Sequence, residues 1–472
     1  MRCYKIRLPT SSPESRLPPV SPSHQFGLYF FQIEPILSIM QTLPDTLAGW
    51  LNRLESQHPV TIDMGLDRVA EVATRMKIGF DCPVITVGGT NGKGSTCAML
   101  EAILLQAGYR VGLSTSPHLI DFNERARVVG EAASDAELVR YFVAVEQARG
   151  EISLSYFEFT TLAILQMFVD AHLDVVILEV GLGGRLDAMN IIDADVAIIT
   201  SVDIDHTEYL GHTREAIGFE KAGIFRAGKA AICSDPVPPQ SLLDHAAAIG
   251  ADLWLLGRDF NYMGDQLQWN YGGREQRRNS LGYPSLRGAN QLLNAAAALA
   301  ALEVLRLRLP VGAQEVRTGL VLVDLPGRFQ VLPGRPTVIL DVAHNPHAAA
   351  TLSQNFGNMG FHPYTYAVFG ALQDKDIDGV IAQLKGQVDH WCVTDLPLPR
   401  GASAEQIRQK LLAAGVTPTD KTDAECTINC FSTPAEAFAN ATSRAGENDR
   451  IAVFGSFLTV AGVMAFRAAA NH

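Results

Sequence analysis

The sequence predicts an α/β fold in which an N-terminal P-loop ATPase-like domain with a parallel central sheet precedes a smaller C-terminal α/β domain of Rossmann-like type. Two observations predict this fold. Short apolar strands alternate with helical segments in both halves of the chain, which is the pattern of a parallel sheet covered by helices. A glycine-rich loop also joins the first such strand to the helix that follows it. The chain has 472 residues, which is enough for more than one domain.

Charge and cysteine content restrict the function. The chain has 38 lysines and arginines against 50 aspartates and glutamates, and its net charge of −12 disfavours a nucleic-acid partner. Its seven cysteines are scattered without a C-x-x-C pair, which is typical of a reducing compartment. The sequence has no uninterrupted run of about 18 apolar residues, so no membrane span is predicted. We therefore expect a cytoplasmic monomer that acts on small molecules, without nucleic-acid or membrane partners.

The chain is divided by its composition into three parts. Residues 1–39 are rich in proline and serine, and the helical spacing of apolar residues begins only after Met40. We expect this N-terminal stretch to be a disordered extension or a misassigned start. A second boundary is predicted at residues 325–328, where Leu-Pro-Gly-Arg has the composition of a hinge. The predicted domains are then a central domain at 40–324 and a C-terminal domain at 325–472.

The glycine-rich loop has the composition of a phosphate-binding loop. It follows the strand at 84–87 and precedes a helical segment that ends near Gly108. Its backbone N–H groups and the helix N-terminus suit phosphate oxygens, and Lys93 suits the β- and γ-phosphates. Gly94 separates this lysine from the hydroxyl that would bind Mg²⁺, so Ser95 and Thr96 are both candidates. The predicted ATP-binding residues in the loop are Gly89, Thr90, Asn91, Gly92, Lys93, Gly94, Ser95 and Thr96.

Two further strands are followed by candidate metal ligands. Glu179 lies at the end of the apolar segment 174–180, and a Mg²⁺ ligand is needed at such a strand end beside a P-loop. His206 and Lys221 follow the apolar segment 196–200. Each residue also has an ordinary explanation: a glutamate that faces solvent, a histidine in a structural hydrogen bond, and a lysine in a salt bridge with Glu220 or Glu215.

The second half of the chain repeats the alternation of strands and helices. An Ala- and Leu-rich helix begins near residues 287–291, and strands are predicted at 338–342, 366–370, 391–394 and 451–455. Asp341 ends the first of these strands, and His344 lies in the turn before Pro346. Loop positions at strand ends are suited to function. A turn-capping aspartate and a structurally hydrogen-bonded histidine are the alternatives.

Eight segments, in the same order along the chain, resemble the bacterial bifunctional dihydrofolate synthase/folylpolyglutamate synthase family within the Mur ligase superfamily. The resemblance runs from about Met40 to the C-terminus, and the glycine after Lys93 is a feature of this family. The segments are Gly-Thr-Asn-Gly-Lys-Gly-Ser (89–95), Ser-Pro-His-Leu (116–119), Tyr-Phe-Glu-Phe (156–159), Leu-Glu-Val-Gly-Leu-Gly-Gly-Arg-Leu-Asp (178–187), Asp-His-Thr (205–207), Glu-Lys-Ala-Gly-Ile-Phe (220–225), Leu-Pro-Gly-Arg-Phe (325–329) and Asp-Val-Ala-His-Asn-Pro (341–346).

The resemblance implies an ATP-dependent carboxylate–amine ligase. Such an enzyme would add L-glutamate to dihydropteroate, which forms dihydrofolate, and to tetrahydrofolate, which forms folylpolyglutamate. Both reactions would pass through an acyl phosphate, because a carboxylate is a poor electrophile until phosphorylation supplies a leaving group. The implied partners are ATP as co-substrate, dihydropteroate, folates and L-glutamate, and the implied cofactor is Mg²⁺, as two ions.

The resemblance also implies roles for residues of the nucleotide and metal sites. Ser95 and Glu179 would hold one Mg²⁺. His206 and a carbamylated Lys221 would hold the second, because an unmodified ammonium cannot ligate a cation. Asn290 would contact the nucleotide base, and Arg328 the phosphates. With Asp341 and His344 facing the site from the second domain, the implied catalytic set is Lys93, His206, Lys221, Asp341 and His344, and the implied ATP-binding set also includes Asn290, Arg328 and Asp341.

Folate specificity is implied by segments that line the pterin side of the cleft in the family, residues 123–125 among them. Aromatic side chains there suit a pterin ring, although core packing is the alternative for Phe157 and Phe159. Met189 replaces the threonine that is usual in the family. It lies in the loop that the resemblance implies helps to hold dihydropteroate, so the replacement concerns the dihydrofolate synthase activity rather than ATP use. The implied pterin-binding residues are Ser116, Pro117, His118, Phe157, Arg185, Asp187 and Ala188.

Three other functions remain open from the sequence. The enzyme could extend polyglutamate only, or it could be a Mur-type ligase that adds an amino acid to another acceptor. The latter needs an additional N-terminal domain, for which residues 40–82 are too short. A P-loop nucleotide switch is the third, but it would not explain Asp341 and His344 in a second domain.

Overall fold

The computed structural model describes residues 43–57, 64–265, 267–417 and 427–470. The predicted extension at 1–39 lies outside the described residues and stays a prediction. Among the residues that are described, no helix is both long and apolar enough to cross a membrane. From Asp45 onward the chain forms one unit, which contains two large sheets.

The central domain is built on a mixed sheet whose strands are β1 (Val84–Gly88), β2 (Val111–Ser114), β3 (Ala126–Val128), β4 (Glu131–Ala132), β5 (Val175–Glu179), β6 (Val196–Ile199), β7 (Ala230–Cys233) and β8 (Asp252–Leu255). Their order is β4-β3-β2-β5-β1-β6-β7-β8. The six strands from β2 to β8 in this order are parallel, whereas β3 and β4 form an antiparallel edge. Strands β1, β5 and β6 are buried along their whole length, as expected for apolar strands covered on both faces.

The register of the central strands sets the place of the site. Val87 of β1 is paired with Glu179 of β5 on one side and with Ile198 of β6 on the other. The three parallel strands therefore end together. The loops that follow them meet at the carboxyl edge of the sheet, where α/β proteins bind their ligands.

The helices of the central domain are α1 (Leu47–Gln57), α2 (Asp67–Met76), α3 (Lys93–Gln106), α4 (Asp135–Arg149), α5 (Tyr156–Asp170), α6 (Thr207–Leu210), α7 (Arg214–Ala222), α8 (Gln240–Ile249), α9 (Gln291–Val304) and α10 (Ala313–Leu322). Helices α3, α9 and α10 pack on one face of the sheet in a single apolar core. Capping boxes begin α4 at Ser134 and α5 at Ser155, since each serine is paired with a glutamate three residues later.

A small antiparallel sheet, which the sequence analysis did not predict, packs against α9. It consists of β9 (Asn261–Gly264), β10 (Trp269–Gly272) and β11 (Arg277–Leu281). Its apolar residues Trp269, Tyr271 and Leu281 join the core that contains α9. In addition, the Tyr271 hydroxyl donates to the buried carboxylate of Glu303 at 2.8 Å. The outer strands are mostly exposed and carry polar residues, so they lack the apolar pattern that reveals a core strand.

The C-terminal domain has a second sheet, formed by β12 (Gln330–Leu332), β13 (Thr337–Leu340), β14 (Thr365–Phe369), β15 (His390–Thr394), β16 (Thr427–Phe431) and β17 (Arg450–Phe454). The order is β12-β13-β17-β14-β15-β16, parallel except for β12. Its helices are α11 (Pro346–Gly357), α12 (Ile377–Leu384), α13 (Ala404–Ala413), α14 (Pro434–Arg444) and α15 (Phe457–Ala470).

The predicted fold class is confirmed, because two α/β sheets follow one another along the chain. Details differ from the prediction. The central sheet is mixed rather than wholly parallel, and the strands predicted at 338–342, 366–370 and 451–455 end one or two residues earlier. Asp341 is thus the first residue after β13 rather than the last residue of a strand.

Candidate active site

The glycine-rich loop joins β1 to α3 and is held close to neighbouring segments. Thr200 Oγ1 donates to the carbonyl oxygen of Asn91 at 2.6 Å. Gly89 and Gly92 have φ angles of +143° and +89°, which favour glycine. A Cβ atom would lie 2.0 Å from Thr200 Oγ1 at Gly89 and 2.5 Å from Asn294 Oδ1 at Gly92, so side chains here would displace the loop.

A positive charge lies over this loop. Lys93 Nζ donates to the carbonyl oxygens of Gly89 and Thr90, at 3.0 and 3.3 Å. Helix α3 begins at the same lysine, so the unpaired N–H groups of its first turn lie beside the loop. An ammonium group together with a helix N-terminus makes the loop suitable for binding an anion.

Gly94 lies between the loop and two charged groups of the cleft. A Cβ at this position would be 3.7 Å from Arg328 Nη2 and 3.9 Å from Glu179 Oε1. The next two residues differ in their access to that cleft. Thr96 is fully buried, and its hydroxyl has neither accessible surface nor a hydrogen-bond partner among the described residues. This leaves Ser95 as the hydroxyl that suits an ion bound beside the loop.

Glu179 is a buried carboxylate at the end of β5, with 5 % of its surface exposed. The alternative of a glutamate that faces solvent is therefore wrong. Its Oε2 accepts a hydrogen bond from the Ser116 N–H at 3.2 Å. Burial raises the pKa of Glu179, although the Lys93 ammonium and the Ser116 N–H oppose this shift.

Lys221 is buried on α7, and its side chain forms no hydrogen bond or ion pair with a described residue. The expected alternative, a salt bridge with Glu220 or Glu215, is wrong because both carboxylates are occupied elsewhere. Glu220 Oε1 accepts from Arg185 Nη2 at 2.8 Å, and Glu215 Oε2 accepts from the Ser241 N–H at 2.7 Å.

The surroundings of Lys221 favour its neutral form. Burial, assisted by the charge of Lys93, lowers its pKa to about 7, although Asp205 and Asp187 oppose the shift. A large fraction of this amine is thus unprotonated near neutral pH. The unprotonated amine is the form that can react with CO₂ to give a carbamate, whose oxygens would be metal ligands.

Asp205 receives polar groups from both domains and is 10 % exposed. Lys375 Nζ donates to its Oδ1 at 2.8 Å, Asn345 Nδ2 donates to its Oδ2 at 3.1 Å, and His344 Nε2 lies 3.7 Å from Oδ2. Burial alone would raise the pKa of Asp205, but His344, His206 and Lys375 together hold it well below its usual value. The carboxylate is therefore charged at every physiological pH.

His206 follows directly and has a left-handed backbone, with φ of +51°. Burial lowers its pKa to about 4, and the charges of Lys375 and Lys93 act in the same direction while Asp205 opposes. The ring is neutral at pH 7, which is the form that ligates metals. Lys375 Nζ lies 3.5 Å from His206 Nε2.

The C-terminal domain contacts the glycine-rich loop directly. Asn91 Nδ2 lies 2.9 Å from His347 Nδ1 and 3.4 Å from Asn345 Oδ1. Asn290, which precedes α9, donates from Nδ2 to Thr351 Oγ1 at 3.2 Å. The predicted nucleotide site therefore lies at the boundary between the two domains.

Asp341 and Arg328 are neighbours on the second-domain side. The Asp341 carboxylate accepts from the N–H groups of Phe329 and Ala343, at 2.9 and 2.8 Å, which is the behaviour of a turn-forming aspartate. Burial raises the pKa of Asp341, although the guanidinium of Arg328 opposes it. Arg328 also lies over the Phe457 ring, with its Cζ 5.0 Å from the ring centroid.

The predicted pterin side begins with a cis peptide bond between Ser116 and Pro117. Arg125 Nε donates to His118 Nδ1 at 2.9 Å, and burial lowers the pKa of His118. Phe159 is 1 % exposed and packs in the core, whereas Phe157 lies against the loop after β5. Core packing is thus the explanation for Phe159.

The loop after β5 is shaped by Asp187, which is buried and accepts from the N–H groups of Leu182 and Met189 at 2.8 and 2.9 Å. Burial raises its pKa to about 6. Ala188 is buried beside it, and Met189 is 2 % exposed, so the unusual methionine contributes to packing. Arg185 extends away to its ion pair with Glu220.

The structure brings part of the predicted set together, since Lys93 interacts electrostatically with Glu179, His206 and Lys221, and Glu179 with Arg328. Lys375 and Asn345 were missed by sequence reasoning. Asn345 sits in a quoted motif, while Lys375 carries no signal beyond its place in the loop after β14. Asp205 was part of a quoted motif, but its contacts with Lys375, Asn345 and His344 of the C-terminal domain could not be inferred from the sequence.

Comparison with known proteins places the chain in a family. The Mur ligase middle domain matches residues 87–302, and the Mur ligase glutamate ligase domain matches residues 327–457. A dihydrofolate synthase/folylpolyglutamate synthase of Escherichia coli (strain K12) is 45 % identical over 419 residues, which cover 89 % of this chain and 94 % of the relative.

Solved structures agree. "E.coli FolC in complex with DHPP and ADP" is 44 % identical, with a TM-score of 0.84, and the match covers 90 % of this chain and 99 % of that one. A bifunctional folylpolyglutamate synthase/dihydrofolate synthase with Mn, AMPPNP and L-glutamate bound is 45 % identical, with a TM-score of 0.82 and coverage of 90 % and 98 %. The chain belongs to the dihydrofolate synthase/folylpolyglutamate synthase family of Mur ligases.

Proposed function

We propose that this chain is an ATP-dependent ligase that adds L-glutamate to both dihydropteroate and tetrahydrofolate. The observation that carries the proposal is that Lys93 interacts electrostatically with Glu179 and Lys221, and Lys221 with Asp205, which Lys375 of the second domain contacts. Relatives of this chain are named for both activities, and a similar structure has L-glutamate bound.

The reaction needs two displacement steps. A carboxylate oxygen of the acid attacks the γ-phosphorus of ATP, and the bond from that phosphorus to the oxygen of the β-phosphate breaks. ADP is the leaving group, and the acid has become an acyl phosphate. The neutral amine of L-glutamate then attacks the acyl carbon, inorganic phosphate leaves, and the nitrogen loses a proton to water. Lys93 lies where it offsets the charge of the phosphates during the first step, which is the main task of such a catalyst.

The side chains present fit the implied Mg²⁺. Among the described residues no three His, Cys, Asp or Glu side chains converge as a ready-made metal site. Ser95, the buried carboxylate of Glu179, the neutral ring of His206 and a carbamylated Lys221 would hold the ions together with phosphate oxygens. Bound Mg²⁺ would neutralise the charge that builds up on the transferred phosphoryl group.

The remaining residues are proposed to bind the substrates. Asn290 and Arg328 would contact the nucleotide, with Asp341 fixing the turn beside Arg328. The pterin would lie between the segment 116–118 and Phe157, beside the loop that Asp187 and Ala188 shape. Met189 is buried beside this loop, and ADP release with dihydropteroate tests whether the dihydrofolate synthase activity is retained.

The test is ADP release by the purified protein with Mg·ATP, L-glutamate and either dihydropteroate or tetrahydrofolate. We expect release with both acids, and only when L-glutamate is present. Release with tetrahydrofolate alone would reduce the function to polyglutamate extension. ADP release that depends on neither the acid nor L-glutamate would indicate a nucleotide switch. If neither dihydropteroate nor tetrahydrofolate supports ADP release, the protein is a ligase for another acceptor.

We further propose that the enzyme is a cytoplasmic monomer, with the central and C-terminal domains meeting at residues 325–328. Its described cysteines, which are Cys82, Cys97, Cys233, Cys392 and Cys430, are all free, in agreement with a reducing compartment. Gel filtration with light scattering tests the oligomeric state.

A further inference from the structure

One positive charge of the central domain lacks a partner of opposite charge. Arg125 ends the short helical turn Phe122–Arg125 and is partly buried, which lowers the pKa of its guanidinium. No carboxylate among the described residues forms an ion pair with it. An arginine withdrawn from water without an anion is costly, so an anion from outside the chain would stabilise this arrangement.

Two carboxylates raise the pKa of Arg125 through space, but both are hydrogen-bonded elsewhere. Glu124 points back to the backbone and accepts from the N–H groups of Leu119 and Ile120 at 2.6 and 2.8 Å. Glu179 accepts from the Ser116 N–H at 3.2 Å. Both carboxylates influence the pKa of Arg125 through space, but neither neutralises its charge by contact.

The guanidinium is held in one orientation by three side chains. Its Nε donates to His118 Nδ1 at 2.9 Å, and its Cζ lies 5.4 Å from the centroid of the Phe122 ring and 5.9 Å from that of Tyr156. The two Nη atoms have no hydrogen-bond partner among the described residues. This leaves the planar pair of N–H donors that matches the two oxygens of a carboxylate.

The sheet register places Arg125 beside the reaction centre. Ala126 pairs with Ser114 of β2, and Ser114 pairs in turn with Leu178 of β5, so Arg125 and Glu179 emerge at the same edge. They are two strands apart, or about 10 Å between backbones. The glycine-rich loop follows β1, on the other side of β5. A carboxylate held by Arg125 would therefore lie across Glu179 from the phosphate-binding loop.

We propose that Arg125 binds the carboxylate of the acid substrate and so makes the enzyme select acids over uncharged analogues. The inference rests on the proposed function and assigns one of its specificity-determining residues. His118 is a positioning residue in this arrangement. Because Nδ1 of His118 accepts a hydrogen bond from Arg125, the neutral ring carries its proton on Nε2. The uncharged ring does not repel the guanidinium as a second cation would.

The experiment compares wild-type protein with Arg125→Met and Arg125→Lys. For each protein, steady-state kinetics gives kcat and the KM of dihydropteroate, tetrahydrofolate, ATP and L-glutamate. We expect Arg125→Met to raise the KM of both acids roughly 10- to 100-fold, as for a lost charge-assisted hydrogen bond, with the KM of ATP and L-glutamate within about twofold of wild type. The KM of both acids for Arg125→Lys should lie between the values for wild type and Arg125→Met, because an ammonium keeps the charge but not the paired donors.

A second measurement isolates recognition of the carboxylate. Calorimetry compares the binding of dihydropteroate with that of its carboxamide, in which the charged oxygen is replaced by NH₂. Wild-type protein should bind the acid roughly 10-fold or more tightly, and Arg125→Met should bind both alike. This loss of discrimination would not follow from a merely structural role.

Arg127→Met is the matched control, because Arg127 lies two residues further along and already has a carboxylate partner in Glu101, at 3.0 Å. It should change thermal stability but not the preference for the acid. An Arg125→Met protein that keeps this preference, or in which only the KM of ATP rises, overturns the inference while wild-type turnover still supports the proposed function. A wild-type protein that turns over neither acid overturns both.

Discussion

Lys221 is a residue whose chemistry is set by its surroundings. It is buried without a hydrogen-bond partner among the described residues, and burial lowers its pKa to about 7. The same lysine on the protein surface would be almost wholly protonated at that pH. In the proposed function, Lys221 would serve as a metal ligand only after conversion to an oxygen donor, which its neutral amine permits.

We expect Lys221→Ala to lower kcat at least roughly 100-fold, the usual scale for losing a group that stabilises transition-state charge. Wild-type protein depleted of CO₂ should lose activity and recover it when bicarbonate is added. Recovery should be greater at pH 8 than at pH 6, because the neutral fraction of the amine grows as the pH rises through about 7. Carbon-13 NMR after addition of labelled bicarbonate would detect the carbamate.

Lys229→Ala is a suitable control for this experiment, since Lys229 is half-exposed and pairs with Asp195 at 2.9 Å. Its activity and carbamate signal should match wild type. Near-normal turnover of Lys221→Ala at ambient CO₂ would contradict the carbamate.

Single residues were predictable where they lie at or just beyond the end of a short apolar strand. Glu179 is the last residue of β5, and Lys93 begins the helix after the loop that follows β1. The two side chains interact electrostatically. Lys375 could not be found in this way, because it reaches Asp205 across 170 positions of sequence and only the packing of the domains shows the contact. The burial of Lys221 could also not be predicted, because nothing in the sequence around a lysine indicates that its side chain is buried.

At the scale of elements, the contact between α3 and α10 ties the phosphate-binding loop to the core. The two helices approach closely at Gly319 of α10. A Cβ there would lie 2.6 Å from Ile103 Cα and 2.7 Å from Ile103 N, which are backbone atoms and cannot move aside. Helix α3 carries Lys93 at its first position, so its placement also sets that of the loop.

We expect Gly319→Ala to destabilise the protein by about 1–3 kcal/mol, the usual cost of overpacking, and to raise the KM of ATP. Urea unfolding followed by circular dichroism measures the first effect. Gly357→Ala is the matched control, because Gly357 ends α11 and a Cβ there meets nothing within 4 Å. That variant should be neutral or slightly more stable, and equal stability of the two variants would count against the close packing.

Most of the strands that were predicted from the sequence are buried apolar segments. The predicted parallel strands β1, β5, β6, β13, β14, β15 and β17 are apolar and mostly buried, so they were found from the sequence even though their ends shift by a residue or two. Strands β3, β4, β8 to β12 and β16 were not predicted, because they are short, partly exposed or rich in polar residues. Their pairing depends on the surface against which they pack. Strands β2 and β7 are buried but only four residues long, and they were also missed.

At the scale of the whole molecule, Asp205 links the two domains. Lys375, Asn345 and His344 approach it from the C-terminal domain, and the side chain of Lys375 is only 9 % exposed. An ion pair so well buried loses much more than a surface pair when one partner is removed. The contact therefore contributes to the closed arrangement of the domains around the cleft.

We expect Lys375→Met to favour separation of the domains and to lower kcat roughly tenfold or more, because the uncompensated Asp205 then prefers water. Small-angle X-ray scattering of the substrate-free protein should show a larger radius of gyration than wild type. Lys410→Met removes an exposed ion pair with Asp378 in the same domain and should change neither quantity. Unchanged scattering and turnover in Lys375→Met would show that other contacts hold the domains together.

The contact of Asn91 with Asn345 and His347 has a consequence for the timing of the catalytic cycle. In the proposed function, a nucleotide bound at the glycine-rich loop would be covered by the C-terminal domain through these side chains. ADP would then leave, and ATP would enter, only while the two domains are apart at this contact. Each turnover would include one opening and one closing movement, and the rate of these movements would set an upper limit to the rate of ligation.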